Sequence, residues 1–224
     1  MYRAVFISDI HFGTTKYEEE FLEFLENLQT NYLFIVGDAI SFIVDKESKN
    51  LDRFFNILAT KDWKVIYIIG NHEKENLYLN STLFKYYKNL TLYSSYIYKN
   101  ILIEHGDSFH YKDPINRFIK KKMFECKLSL YKRDKRRYPK IRNLYYIIKP
   151  LLKFVLYHSF INYMVKRARE RGCEAIVCGH LHLPQIKEIK GIKYINSGDW
   201  VKHLSYIVED KDGEFKLKYF KDIK

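Results

Sequence analysis

The chain has 224 residues, with 39 Lys/Arg against 27 Asp/Glu and a formal net charge of +12. Hydrophobic residues make up 47% of it, enough to bury a real core, which excludes a disordered polycation. Gly (9) and Pro (4) are too scarce for a fibrous or low-complexity chain, and the length fits one domain, or one domain carrying a sizeable insertion.

In chain order, Arg3–Ser8 reads as a strand and Tyr17–Leu28 as a helix, with Phe21, Leu22, Leu25 and Leu28 on one 3.6-period face. Tyr32–Val36 is a second strand, Leu51–Ala59 a second helix and Lys64–Ile69 a third strand, a βαβαβ run that implies parallel strands with helices packed on them. Tyr96–Tyr98 and Ile101–Glu104 flank Lys99-Asn100 as a hairpin. Residues 113–171 lack strand alternation and read as several helices, broken near Pro139 and Pro150. Strands resume at Glu174–Cys178, Gln185–Ile189, Ile192–Ile195 and His203–Glu209, and Phe215–Phe220 pairs with the last across Asp212-Gly213. A parallel first half and an antiparallel second half suggest two sheets packed face to face with helices outside. The expected organisation is a single domain over 1–224, its body formed by 1–112 and 172–224 and its insertion by 113–171.

The charge is concentrated. Residues 112–171 hold 19 Lys/Arg against Asp113, Glu125, Asp134 and Glu170, a net of +15, so the remainder sums to −3. Anionic partners such as phosphates, nucleic acid or an anionic membrane surface are therefore expected at the insertion. Three cysteines (Cys126, Cys173, Cys178) without paired spacing argue for a reducing compartment rather than a disulfide framework. The apolar stretch Leu144–Val165 is interrupted by Lys149-Pro150, Lys153 and His158 and does not read as a membrane span. These features lead to the expectation of a cytoplasmic protein, peripheral at the membrane if the insertion meets it.

Five short constellations follow β-rich runs: Asp9-Ile10-His11, Gly37-Asp38, Gly70-Asn71-His72-Glu73, Glu104-His105-Gly106-Asp107 and Gly179-His180-Leu181-His182. Strand ends are where α/β sheets present functional groups. Asp, Asn and His supply the oxygen and nitrogen donors that divalent metals accept. Any one of these motifs alone is compatible with a turn or a helix cap; five in this order point to a metal site. His110 reads as a loop histidine, His158 and His203 carry no role, and Asp107 stands where it can orient His105.

The set resembles the calcineurin-like metallophosphoesterase superfamily, whose signature runs D-x-H, G-D, G-N-H, H and G-H-x-H. The resemblance implies an α/β fold, a four-layer αββα sandwich with a helical insertion. It also implies a two-metal phosphoester hydrolase. Asp9, His11 and His182 would ligate one ion, Asn71, His105 and His180 the other, and Asp38 would bridge both. Two cations about 3.5–4 Å apart can share a hydroxide and stabilise attacking and leaving oxygens. Asp38 and Asn71 would thus serve catalysis as ligands, and His72 would contact the scissile phosphate and either protonate the leaving group or stabilise charge there. Mn²⁺ is the metal the resemblance favours, with Zn²⁺ or Fe²⁺ as alternatives. Two departures stand out: Ser41 replaces the acid many relatives carry after Gly-Asp, and Glu73 stands where Asp is usual.

The helical insertion and the tail Asn196-Ser197-Gly198-Asp199-Trp200-Val201 resemble the bacterial UDP-2,3-diacylglucosamine pyrophosphatase group. That resemblance implies cleavage of a pyrophosphate in a nucleotide-linked glycolipid for lipid A synthesis. Lys120, Lys121 and Lys122 with Arg133, Arg136 and Arg137 are the expected substrate contacts, and Leu144–Val165 suits an acyl groove or a membrane interface. The best-known pyrophosphatases of the group carry Arg where this chain has His72. This leaves a general phosphodiesterase or phosphomonoesterase, or a nuclease on nucleotides or nucleic acid, as alternatives. A non-catalytic scaffold of the same fold is a third reading, opposed by the presence of all seven ligands.

Overall fold

A computed structural model describes residues 1–41, 49–75, 91–112, 116–117 and 139–223. The strands are β1 (Tyr2–Ile7), β2 (Thr30–Val36), β3 (Lys64–Ile68), β4 (Leu92–Tyr93), β5 (Tyr96–Tyr98), β6 (Ile101–Ile103), β7 (Ala175–Cys178), β8 (Gln185–Ile189), β9 (Ile192–Asn196), β10 (Ser205–Glu209) and β11 (Phe215–Tyr219). The helices are α1 (Glu18–Asn27), α2 (Lys49–Thr60), α3 (Asn71–Glu75), α4 (Phe109–Lys112) and α5 (Pro139–Glu170). The chain divides into two compact units, Met1–Gly106 with Ala168–Lys224, and Asp107–Arg167.

In the first unit, one sheet runs β11-β10-β1-β2-β3-β4 and the other β5-β6-β7-β9-β8. Both are mixed. β1, β2, β3 and β4 are parallel, but β10 lies antiparallel to β1, with Ala4 opposite Glu209, and β11 continues antiparallel. In the other sheet β6, β7 and β9 are parallel, with β5 and β8 antiparallel at the edges. The expected division into a parallel first half and an antiparallel second half is therefore corrected. The C-terminal hairpin crosses back to complete the first sheet, because the edge of β1 left unpaired by β2 would otherwise expose its backbone groups.

Alternate residues of β1 explain the layering. Ala4 and Phe6 join Phe34, Val36, Ile66 and Ile68 against Ile101, Ile103, Val177 and Ile195 of the second sheet. Phe6 and Phe34 stack at 4.6 Å between centroids. Val5 and Ile7 face the other way, into a core with Phe21, Leu25, Phe54 and Leu58 of α1 and α2. Strands buried on both faces need continuous apolar runs, which is what the sequence shows. The first unit is thus a two-sheet α/β architecture with α1 and α2 packed on the outer face of the first sheet.

In the second unit, α5 starts at Pro139 and runs through Pro150, which corrects the expected break at Pro150. Pro150 is exposed, so water can take the carbonyl left without its usual N–H donor. The last hairpin also starts later than expected, at Ser205, because residues 201–203 are held in turns by Asp199. Among the described residues, no helix is long and apolar enough to cross a membrane.

Candidate metal centre

Beyond the ends of β1 and β2, the two connecting loops run side by side and keep hydrogen-bonding. Asp9 N donates to Gly37 O, His11 N to Asp38 O and Phe12 N to Ala39 O, at 2.9–3.1 Å. To follow that path, Asp9, His11 and Asp38 adopt φ of 52°, 56° and 51°. His180 and His182, after β7, have φ of 67° and 55°. Five non-glycine residues in the left-handed region, each strained by about 1 kcal/mol or more, persist only where their surroundings over-determine them.

The strain brings the side chains together. Asp9, His11 and His182 form one group, Asp38, His105 and His180 a second, and His11, Asp38 and His72 a third that joins them; in each, the ligand atoms lie within 4.8 Å of one another. His182 Nε2 is 3.2 Å from Asp9 Oδ1 and His105 Nε2 is 3.3 Å from Asp38 Oδ2. His180 Nδ1 is 3.3 Å from His105 Nε2. Asn71 opens α3 beside His72, whose N–H donates to Asp38 Oδ1 at 2.9 Å. Of the sequence-derived ligands, the structure thus clusters Asp9, His11, Asp38, His105, His180 and His182, with His72 among them, and Asn71 is the adjoining first residue of α3. Lys120, Lys121, Lys122, Arg133, Arg136 and Arg137 lie outside the described residues. His110, in the second unit, bonds the Asn116 amide through Nδ1 at 2.8 Å, and His158 packs on the Phe154 ring.

Glycines let the loops close on the ligands. A Cβ on Gly70 would stand 2.1 Å from Asp38 Oδ1, and one on Gly179 2.4 Å from Asp9 Oδ2. Neither position has room for any side chain.

The electrostatics favour cations. Burial alone would raise both carboxyl pKa values, but the His182 hydrogen bond and the His105 charge hold Asp9 below its ordinary range, and His105 holds Asp38 far below it. Conversely, burial would lower His105, yet the Asp38 carboxylate prevails and pushes it up to about 10. His182 rises for the same reason beside Asp9, whereas burial draws His11 down. The pocket therefore stabilises positive charge, which protons on His105 and His182 supply and which divalent cations could supply in their place. The donor set fits such ions: imidazole nitrogens, two carboxylates and the Asn71 amide, whose buried Oδ1 has no hydrogen-bond partner among the described residues.

Two residues outside the sequence-derived ligand set support the centre. Glu73, fully buried, accepts N–H groups from Asp38, Ala39, Ile40 and Gly70 and the Tyr67 hydroxyl. Burial and Asp38 raise its pKa despite those donors. Asp199, also fully buried, stands 3.7 Å from His182 Nδ1. The sequence signalled Glu73 only as a longer acid in its motif, and Asp199 only as part of a tail. Ser41, standing where relatives have an acid, bonds Thr14 Oγ1 at 2.7 Å and lies 3.5 Å from His11 Nδ1.

Comparison with known proteins agrees with this geometry. The sequence profile of calcineurin-like phosphoesterases matches residues 2–184. The chain is 25% identical to a UDP-2,3-diacylglucosamine hydrolase of Haemophilus influenzae (strain PittGG), over 96% of this chain and 98% of the relative. It is 29% identical to a protein of the same name from Wigglesworthia glossinidia brevipalpis, over 93% of this chain and 91% of that one. Among solved structures, Yfce, a phosphoesterase from E. coli, has the same fold, with a TM-score of 0.52 at 18% identity, covering 99% of this chain and 94% of that one. The chain belongs to the calcineurin-like phosphoesterase family and is a metal-dependent phosphoesterase.

Proposed function

We propose that the protein hydrolyses the pyrophosphate of UDP-2,3-diacylglucosamine or a similar nucleotide-linked glycolipid. The observation that carries the reading is the near-full-length similarity to relatives bearing that substrate's name, combined with a ligand cluster suited to two divalent ions. Asp9, His11 and His182 would hold one ion, Asn71, His105 and His180 the other, and Asp38 would join them; the donor set admits Mn²⁺, Zn²⁺ or Fe²⁺, and the family resemblance favours Mn²⁺. When bound, such ions neutralise charge on phosphoryl oxygens and make water nucleophilic near neutral pH. The protein's own part is to fix the carboxylates and imidazoles in advance, so that little reorganises during reaction. His72, partly exposed and 3.8 Å from Asp38 Oδ2 through Nε2, contacts the phosphoryl group and delivers the Nε2 proton to the departing oxygen as water adds and the P–O bond breaks.

The partner surface belongs to α5. Leu151, Phe154 and Val155 are 62%, 61% and 38% exposed, on one face at i, i+3 and i+4. Across Pro139–Glu170 seven Lys/Arg face a single acid, Glu170. An exposed apolar stripe on a strongly basic helix suits an anionic membrane surface, where a lipid-linked substrate resides. A general phosphodiesterase is the second reading, favoured by His72 in place of the Arg noted above. Mn²⁺-dependent turnover of UDP-2,3-diacylglucosamine, compared with a bis-nitrophenyl phosphodiester and single-stranded DNA, separates the readings. Activity on the model diester alone would sink the glycolipid substrate and leave the phosphoesterase chemistry standing.

A further inference from the structure

The geometry points to Asp199 as a positioning residue that aims the His182 imidazole at its metal, an inference that rests on the metal-centre reading above. Asp199 lies in the β9–β10 connection and is fully buried. Its Oδ1 accepts the N–H groups of Val201 at 2.9 Å, Lys202 and His203 at 3.2 Å. Its Oδ2 is bonded by His203 Nδ1 and is 3.7 Å from His182 Nδ1. On the far side of the same ring, His182 Nε2 is 3.2 Å from Asp9 Oδ1.

The two nitrogens therefore have different neighbours. At 3.7 Å the Asp199 carboxylate attracts the Nδ1 side of the ring by charge rather than by a direct hydrogen bond, favouring the orientation in which Nε2 faces Asp9 and a cation held there. His182 needs such a guide, because it sits at a strained φ of 55° and its side chain is 37% exposed. The same loop also fixes the other ligand of that ion, since Trp200 N donates to Asp9 O at 3.1 Å. Holding Asp199 in place are three backbone donors, the His203 ring and a bond from its own N–H to Ser205 Oγ at 3.3 Å, so its carboxylate is a fixed reference for His182.

The test is Mn²⁺ binding to the full chain, by calorimetry and chelator competition. Asp199→Asn removes the charge, and Asp199→Ser keeps an acceptor for the backbone N–H groups while withdrawing the carboxylate from His182. Each variant should weaken one of two Mn²⁺ ions about 10–100-fold and leave the other unchanged. In a His182→Ala background the same substitutions should have a much smaller effect on affinity, because the ligand they chiefly act through is gone. Wild-type affinity in Asp199→Ser, an equal loss in the His182→Ala background, or failure of both variants to fold would overturn the assignment. Absence of Mn²⁺ binding by the unsubstituted protein would instead sink the metal-centre reading itself.

Discussion

The carboxylate of Glu73 accepts the backbone N–H of Asp38 at 2.9 Å, so the residue after His72 anchors the loop that presents the central carboxylate of the candidate metal centre. Glu73 Oε2 takes Asp38 N and Gly70 N, and Oε1 takes Ala39 N, Ile40 N and the Tyr67 hydroxyl. One buried anion thereby joins the β2 and β3 ligand loops.

Glu73→Gln keeps the shape but turns one oxygen into an NH₂ facing two backbone donors. Leaving those donors unsatisfied in the interior should cost about 2–4 kcal/mol. Denaturant unfolding should show the loss, and Mn²⁺ affinity should fall with it. Unchanged stability would mean that Glu73 does not tie the loops together.

Gly70→Ala should disable the centre with a single methyl group. The added carbon would meet Asp38 Oδ1 at 2.1 Å and Asp38 N at 2.6 Å, contacts no side-chain rotation at position 70 can relieve. The expected result is loss of at least one tightly held Mn²⁺ and a turnover fall of 100-fold or more, on the order of a misplaced reacting geometry. Metal analysis of the purified variant checks it.

The metal-free protein should lose stability as pH rises from about 6.5 towards 10. His105 has a folded pKa raised to about 10 by Asp38. Its contribution is thus fully present below the unfolded value near 6.5 and is lost as pH climbs through the folded one. His182, raised beside Asp9, acts in the same direction. With saturating Mn²⁺ the slope should reverse over this window, because the imidazoles must give up protons to bind the ion. Melting temperatures with EDTA and with Mn²⁺ across that range provide the check, and identical slopes would contradict the charge balance described for the pocket.

Replacing Leu151 and Phe154 together by Ser should reduce binding to vesicles containing anionic lipid while leaving Mn²⁺ affinity unchanged. Both side chains are more than half exposed, so their removal should change folding stability by about 0.5 kcal/mol or less each. Sedimentation with anionic and neutral vesicles measures the effect; equal loss on both would remove the electrostatic part of the membrane reading.

The residues of the candidate cluster were legible because each belongs to a short contiguous motif at a strand end, where chemistry and local pattern coincide. Elements with strong periodicity, such as Phe21, Leu22 and Leu25 on α1, were legible for the same reason. What stayed hidden depends on partners distant in the chain. Nothing around Ala4 shows that it lies opposite Glu209, since alternation identifies a strand and not its neighbour. Glu73 and Asp199 act on Asp38 and His182, 35 and 17 residues away, through contacts that exist only once the loops have closed. Pro150 misled because helix breaking is a local rule, and an exposed site inside a long helix tolerates the missing bond.

The central claim is metal-dependent hydrolysis at the Asp38 cluster, and its most direct test is phosphoester turnover by the purified protein with and without Mn²⁺, beside His180→Ala. The account predicts turnover that disappears with EDTA, returns with Mn²⁺, and falls at least 100-fold in the variant. Turnover indifferent to both the metal and His180 would contradict it.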